Sequence, residues 1–232
     1  MFYNEPVPLM LERHAEAGIK NTVNYSFSKQ TNSAPITLHE FVEVAKANPI
    51  VFTSGPVVEP AAVLGLETNK NSFVDAEGTW AKDKYIPVYI RRYPFAFMEH
   101  DNKLILCVDE ESDVFVKKAK KNDLRFFDDN EQSKTTKFAL DFCTQFHRDQ
   151  ILTRNFCQAV KDAGLLKVEQ VTATFKNKKD PKTLSGFSII DEAKLRTLDD
   201  AKLKEFNQNG YLGLIYIHLM SLSNFTKISN MA

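Results

Sequence analysis

Apolar and polar positions follow two different rhythms along the chain, and the change from one to the other predicts its elements. In the first half the apolar runs are short and alternate. Val23-Asn24-Tyr25-Ser26-Phe27 reads as a strand. Thr37-Leu38-His39-Glu40 has Thr with Glu three residues later, a capping box that predicts a helix over Phe41–Ala45, ended by Pro49. Ile50-Val51-Phe52 and Ala61 to Leu66 read as short buried strands, with Gly55-Pro56 and Asp75–Gly78 as turns. Tyr85 to Phe95 and Ala96 to Val108 are β-rich, and Asp101-Asn102 divides the second stretch into a hairpin.

Beyond Lys117–Gln132, a charged connector read as a solvated loop, the rhythm becomes helical. Phe138, Phe142, Phe146, Phe156 and Val160 predict one long amphipathic helix from about Thr135 to Ala163, with Gly164 as its C-cap. Val168 to Phe175 alternates as a strand, Asn177–Pro181 is a polar turn, and Leu184 to Ile190 is placed to pair back. Asp199 or Asp200 caps a short helix through Phe206. Gly210 precedes a last helix that is apolar on nearly every face and is expected deep inside. That helix ties the C-terminus into the core, so residues 1–232 are read as a single α+β domain. A mostly antiparallel sheet in the first half packs with the long helix and a buried C-terminal helix.

Composition narrows the functional classes. The 232 residues are 43% apolar and 26% charged, ordinary values for a packed domain, with 18 Phe against one Trp. Thirty Lys and Arg balance thirty Asp and Glu. Neutrality removes the simplest argument for nucleic acid as a partner and mildly favours a homo-oligomer. The densest basic run, Lys117–Lys121, is followed at once by Asp123, Asp128, Asp129 and Glu131, which cancel most of its field. Cys143 and Cys157 stand about 21 Å apart along one helix, too far for a disulfide, so reduced thiols are expected. The N-terminus lacks the basic start and apolar run of a signal peptide, and Tyr211–Leu222 is too short to span a bilayer. A cytoplasmic location is therefore expected, export without an N-terminal signal being the alternative.

The richest segment chemically is Trp80 to Phe95. Read as extended, it puts Ile86, Val88 and Ile90 on one face and Tyr85, Tyr89, Arg91 and Tyr93 on the other. Phenols and a guanidinium combine apolar area with directional donors, which suits contact with a partner. Arg92 falls on the apolar side and needs a carboxylate or carbonyl partner, or a place at the rim. Trp80, Tyr85, Tyr89, Arg91, Arg92 and Tyr93 are thus the candidate binding residues. The alternative is a half-exposed edge strand with an internal Arg–carboxylate pair, and Pro87 and Pro94 agree with an edge.

Other chemistry is thin. His14, His39, His100, His147 and His218 form no HExxH or HxH pair. Glu12-His14-Glu16 is a pattern common by chance, so no metal site is assigned. His218 reads as a hydrogen-bonded core histidine rather than a base. Cys143 and His147 are only helical neighbours. There is no GxSxG elbow, P-loop or GxGxxG, so no catalytic residue and no cofactor is assigned.

Asn48–Phe52, Ala62–Leu66, Asn71–Asp75, Gly78-Thr79-Trp80 and Tyr85–Phe95, with a later Gly210–Leu222 helix carrying His218 and Ser221, together resemble the bacterial SapC family. They cover most of the chain in the expected order. The resemblance implies association with bacterial surface-layer systems. It also implies neighbourhood with outer-membrane uptake and peptide-modifying proteins, and so a protein or peptide of the cell envelope as partner. It transfers no catalytic mechanism. The reading is an accessory or binding protein that uses the Tyr85–Phe95 segment. The alternatives are an enzyme acting on a peptide or small molecule in a pocket of Trp80, Tyr85, Arg92 and His218, and a structural surface-layer component. Surface-layer subunits are typically larger and more acidic than this chain.

Overall fold

Two strands with almost no polar positions, Ile50–Thr53 and Pro60–Val63, sit where both sheet faces are covered, which is why their sequence does not alternate. The structure, a computed structural model, describes residues 2–101, 103–173 and 182–229. In it these strands pair antiparallel, Ile50 opposite Ala62, and lie inside a five-stranded antiparallel sheet. Ser33–Pro35 borders Pro60–Val63, while Lys182–Ile190 and then Leu166–Ala173 continue the sheet on the other side. The sheet therefore draws two strands from the second half of the chain. The polar turn expected at Asn177–Pro181 and the end of the strand expected to reach Phe175 lie outside the described residues, as does Asn102. The hairpin around it forms as expected: Phe95–His100 pairs with Lys103–Asp109, and Pro6–Pro8 adds a third strand.

The long helix runs Lys134–Asp162. Ser133 caps its start, accepting from the Thr135 and Thr136 amides at 3.1 and 3.3 Å. At its end Gly164, at φ +64°, lets the Gly164 and Leu165 amides bond back to the Lys161 and Val160 carbonyls. Its buried side serves two apolar clusters. Ala139 and Cys143 join Phe95, Val108 and Phe126. Phe156, Cys157 and Val160 join Phe41, Phe52, Ile190 and Ile215 under the large sheet. Phe138 departs from the expected core face and is 70% exposed.

Three further expectations change. Val23–Phe27 is no strand: Asn24 Oδ1 accepts the Ser26 amide at 2.8 Å and starts a 3₁₀ turn over Ser26–Ser28. The charged connector is partly ordered. Phe126 is fully buried, Leu124–Arg125 pairs with Gly18–Ile19, and Asp129 and Asn130 at positive φ close a tight hairpin between Phe127–Asp128 and Glu131–Gln132. The apolar helix Tyr211–Ser221 is buried on one face only. Ile215, His218 and Ser221 point inward, while Tyr216 is 54% and Met220 74% exposed, although the sheet, the Phe41–Ala45 helix and the Asp200–Gln208 helix all pack against it.

That inward face serves main-chain groups which the strand ladders leave over. Ser221 Oγ accepts the Ile50 amide at 2.9 Å and donates to the His218 carbonyl at 2.6 Å. His218 Nε2 accepts the Ile190 amide at 3.1 Å. Asn224, opening the Asn224–Ser229 helix, donates to the Ala45 and Asn48 carbonyls, and Asn48 donates to Val63. Buried amides and carbonyls without partners would each cost about 1–3 kcal/mol, so these contacts fasten the terminal helices to the sheet.

Burial holds the His218 imidazole below the ordinary 6.5, at about 4, with the Ile50 carbonyl opposing it. The unfolded chain takes up its proton near the ordinary value and the folded chain near the lower one. Stability present above about pH 6.5 should therefore fall as the pH drops towards 4, by about 3 kcal/mol from this residue. Urea unfolding at pH 7 and 4.5 checks this: His218→Gln should be weaker than wild type at pH 7 yet lose less on acidification.

Candidate functional site

The capping box foreseen at Thr37–Glu40 forms, but its glutamate does more than cap its own turn. Glu40 is 2% exposed. Its Oε2 accepts from the Thr37 amide at 2.8 Å and the Thr37 hydroxyl at 3.1 Å. Its Oε1 accepts from the Val88 amide at 2.7 Å and the Tyr85 hydroxyl at 3.2 Å. Val88 is the first residue of a short helix, Val88–Arg91, whose preceding residue, Pro87, offers no side-chain cap. A carboxylate from elsewhere in the chain thus satisfies a free helix-start amide. Burial pushes the Glu40 carboxyl above the usual carboxylate range, opposed by these four hydrogen bonds. Burial, together with the Glu40 charge, also pushes the Tyr85 hydroxyl up to about 12.

This contact overturns the expected strand over Tyr85–Phe95. The segment bends as a helix, and the outward face of phenols does not exist. Tyr89 is 6% exposed and Ile90 is buried with it. Trp80 is also interior, stacked on Phe73 at 5.9 Å and edge-on to Tyr25 at 5.7 Å. Tyr85 is half-buried between Glu40 and Arg91. Arg91, Arg92 and Tyr93 remain together on one cleft.

The two arginines take opposite roles. Arg91 is exposed and held in place: Nε donates to the Ile86 carbonyl and Nη2 to the Tyr85 hydroxyl, both at 3.0 Å. Its guanidinium lies 5.7 Å from the centre of the Phe142 ring. Arg92 turns inward, where a carboxylate or carbonyl partner was expected. Aromatic rings meet it instead, with centres at 4.6 Å (Tyr89), 4.7 Å (Phe146) and 5.4 Å (Tyr3). Its Nε is buried without a hydrogen-bond partner, and among the described residues no carboxylate pairs with it. Each ring stabilises the cation by about 0.5–2 kcal/mol, and the Tyr3 and Tyr89 hydroxyls lie within its hydrogen-bonding reach. The guanidinium is thus held at the cleft wall without an acidic partner, with its buried Nε unmet.

The cleft has a volume of about 370 Å³, within the roughly 300–1,000 Å³ of ligand sites. Phe138, Phe142 and Ala139 of the long helix form one wall, and Ile19, Tyr25 and Leu124 another. Phe138 stacks on Phe142 at 5.9 Å. Cys143 also lines the cleft, but burial pushes its thiol up to about 11, so it is no ready nucleophile at neutral pH. Past Tyr93 the surface continues into a groove of about 300 Å³ lined by Lys20, Thr22, Asn24, Ser112 and Asp113.

The pocket of Trp80, Tyr85, Arg92 and His218 is not assembled. His218 is wholly buried, 5.0 Å from the Phe52 ring in the other cluster. His14, weighed as a metal ligand, is 1% exposed and bonds through Nε2 to Glu110 at 2.9 Å, a carboxylate also clamped by Arg13. Among the described residues no group of three or more His, Cys, Asp and Glu is placed to hold a metal, and no helix is long and apolar enough to cross a membrane. Sequence reasoning missed Phe138 and Phe142 as cleft residues because their helical spacing reads equally as core.

The family model described as SapC matches residues 9–228, so the chain belongs to the SapC family. Comparison with curated proteins and with solved structures found no match.

If Glu40 organises the site and Arg92 is held unpaired, the two should differ in what they give to stability. Glu40→Gln should lower the unfolding free energy at pH 7 by about 1–3 kcal/mol, through lost acceptors. Arg92→Met, which keeps length and removes an unpaired charge, should stay within about 1 kcal/mol of wild type in the same urea titration.

Proposed function

We propose that this SapC-family chain is an accessory binding protein of a bacterial surface-layer or related cell-envelope system, and that the cleft bounded by Arg91, Arg92 and Tyr93 is its contact surface. Family membership supports the setting, through the surface-layer systems in which the family is known. The carrying observation for the surface is Arg92, a guanidinium kept beside an open apolar cleft with no acidic partner among the described residues. A charge of this kind is normally paired when it is buried. Leaving the pair to be completed by a partner accounts for both the cage and the vacancy beside it. Arg91 and the 70%-exposed Phe138 stand at the mouth, the residue types that carry binding energy at interfaces.

The test is capture from an envelope fraction of native cells, with cross-linking and identification of the bound protein. Wild type should retain a surface-layer or envelope component. The double variant Arg91→Ala/Phe138→Ala, which touches two exposed side chains, should lose it while unfolding at the same urea concentration. Retention of the same protein by the double variant would show that the contact lies elsewhere.

A further inference from the structure

Among the described residues the large sheet ends in a strand with no strand beyond it. Leu166–Ala173 pairs with Lys182–Ile190 on one side and stands last in the strand order, which leaves its other edge without a neighbour. One bond fixes the phase of that edge: the Asp191 amide donates to the Leu165 carbonyl at 2.7 Å. Main-chain groups alternate along a strand, so Leu165, Lys167 and Glu169 turn theirs to the neighbour, and Leu166, Val168 and Gln170 turn theirs outward. Gln170 agrees, since its amide donates to the adjacent Glu169 carboxylate at 3.1 Å. The irregularity in this pair falls on the inner strand, where Ser185 and Gly186, the latter at φ +81°, stand opposite Gln170 alone, so the outer strand keeps its alternation.

Edges of this kind are usually guarded, by proline or by lysines that repel an incoming strand. This strand has no proline, and its lysine is followed two residues later by a glutamate. Lys167 Nζ lies 3.8 Å from Glu169 Oε2, with the side chains 45% and 38% exposed. Val168 between them is 75% exposed. That order is complementary to itself when a second copy runs antiparallel. A two-fold axis at Val168 sets Lys167 of each copy opposite Glu169 of the other, and the two Val168 side chains opposite one another. The outward groups of Val168 then exchange both bonds with those of the other Val168, and Leu166 does the same with Gln170 of the other copy. Glu169 gives up the Gln170 amide and its own lysine for their counterparts across the axis. An axis at Lys167 or at Glu169 would instead bring like charges face to face, which destabilises a cross-strand pair. A strand from another protein would meet the same main chain without the matching order of charges.

We infer that a second copy of this chain docks on that edge, Leu166–Gln170 against Leu166–Gln170, antiparallel about Val168, so that two five-stranded sheets join into one. Main-chain hydrogen bonds hold the pair, and the Lys167-Val168-Glu169 order sets its register. A formal net charge of zero leaves no long-range repulsion to oppose the approach. The paired stretch is short beside the roughly 1,600 Å² of a standard interface, so the dimer dissociates on dilution. None of these residues lines the cleft, so envelope capture and self-pairing are read by separate variants.

Sedimentation equilibrium from about 5 to about 500 µM protein should show the mass rising from 26.5 kDa towards twice that value. Lys167→Glu and Glu169→Lys should each stay monomeric at the top of that range, because each sets like charges opposite one another. Mixed in equal amounts the two variants should dimerise, and Lys167→Glu/Glu169→Lys in one chain should restore the wild-type association. Amide hydrogen exchange on wild type needs no variant, and Leu166 and Val168 should exchange about tenfold more slowly in the concentrated protein than in the dilute. A mass fixed at 26.5 kDa throughout, association indifferent to the single variants, a mixture that stays monomeric, or Val168 exchange that ignores concentration would overturn the inference. So would protection of the Val168 amide by the neutral strand peptide acetyl-Thr-Val-Thr-Val-Thr-amide in a protein that itself stays monomeric, which would give the edge to a strand of another chain.

Discussion

A single buried carboxylate sets the local geometry on which the cleft depends. Glu40 takes four hydrogen bonds, two from its own turn and two from a segment 45 to 48 residues later. Without the acceptor at Val88, the amide that begins the Val88–Arg91 helix would be buried unmet, and that helix has too few residues to persist by itself. With it, the chain turns so that adjacent residues diverge. Arg91 goes out along the Tyr85 hydroxyl, and Arg92 goes in beneath three rings. The site is a by-product of one cap.

Much of the scaffold was legible because it rests on local signals. The Thr37–Glu40 box, the caps at Asp199 and Gly210, the Phe95–Asp109 hairpin and the long helix all carry their own start or stop chemistry. The cleft was not legible, for a reason of arithmetic. Tyr85, Tyr89 and Tyr93 are spaced by four, as are Ile86 and Ile90. An interval of four returns to the same face of a strand and to nearly the same face of a helix. Only a long-range contact decides between them, and Glu40 lies too far away in sequence for a local pattern to include it. Phe138 illustrates the same limit. Its spacing to Phe142 and Phe146 fits a core stripe, yet the buried line of the first turns runs through Thr136, Ala139 and Cys143, and Phe138 lies beside it.

Arg91 and Arg92 also show why residue type alone could not rank the candidates. The same guanidinium is fixed by a carbonyl and a phenol in one case and boxed by aromatic faces in the other. Rigidity in the first and a buried, unmet Nε in the second are properties of place. Trp80 and Tyr89, the most buried of the aromatic candidates, serve as packing: Trp80 fills the main core, and Tyr89 forms the floor under Arg92.

The clasp formed by His218, Ser221 and Asn224 has an evolutionary corollary. Each grips peptide groups of distant strands and helices, not side chains. Ile50 and Ile190 are held by their amides, which every amino acid except proline presents, so this grip leaves their apolar side chains free to vary. Such clasp residues would stand fixed among relatives with no compensating change elsewhere, a signature easily mistaken for catalysis.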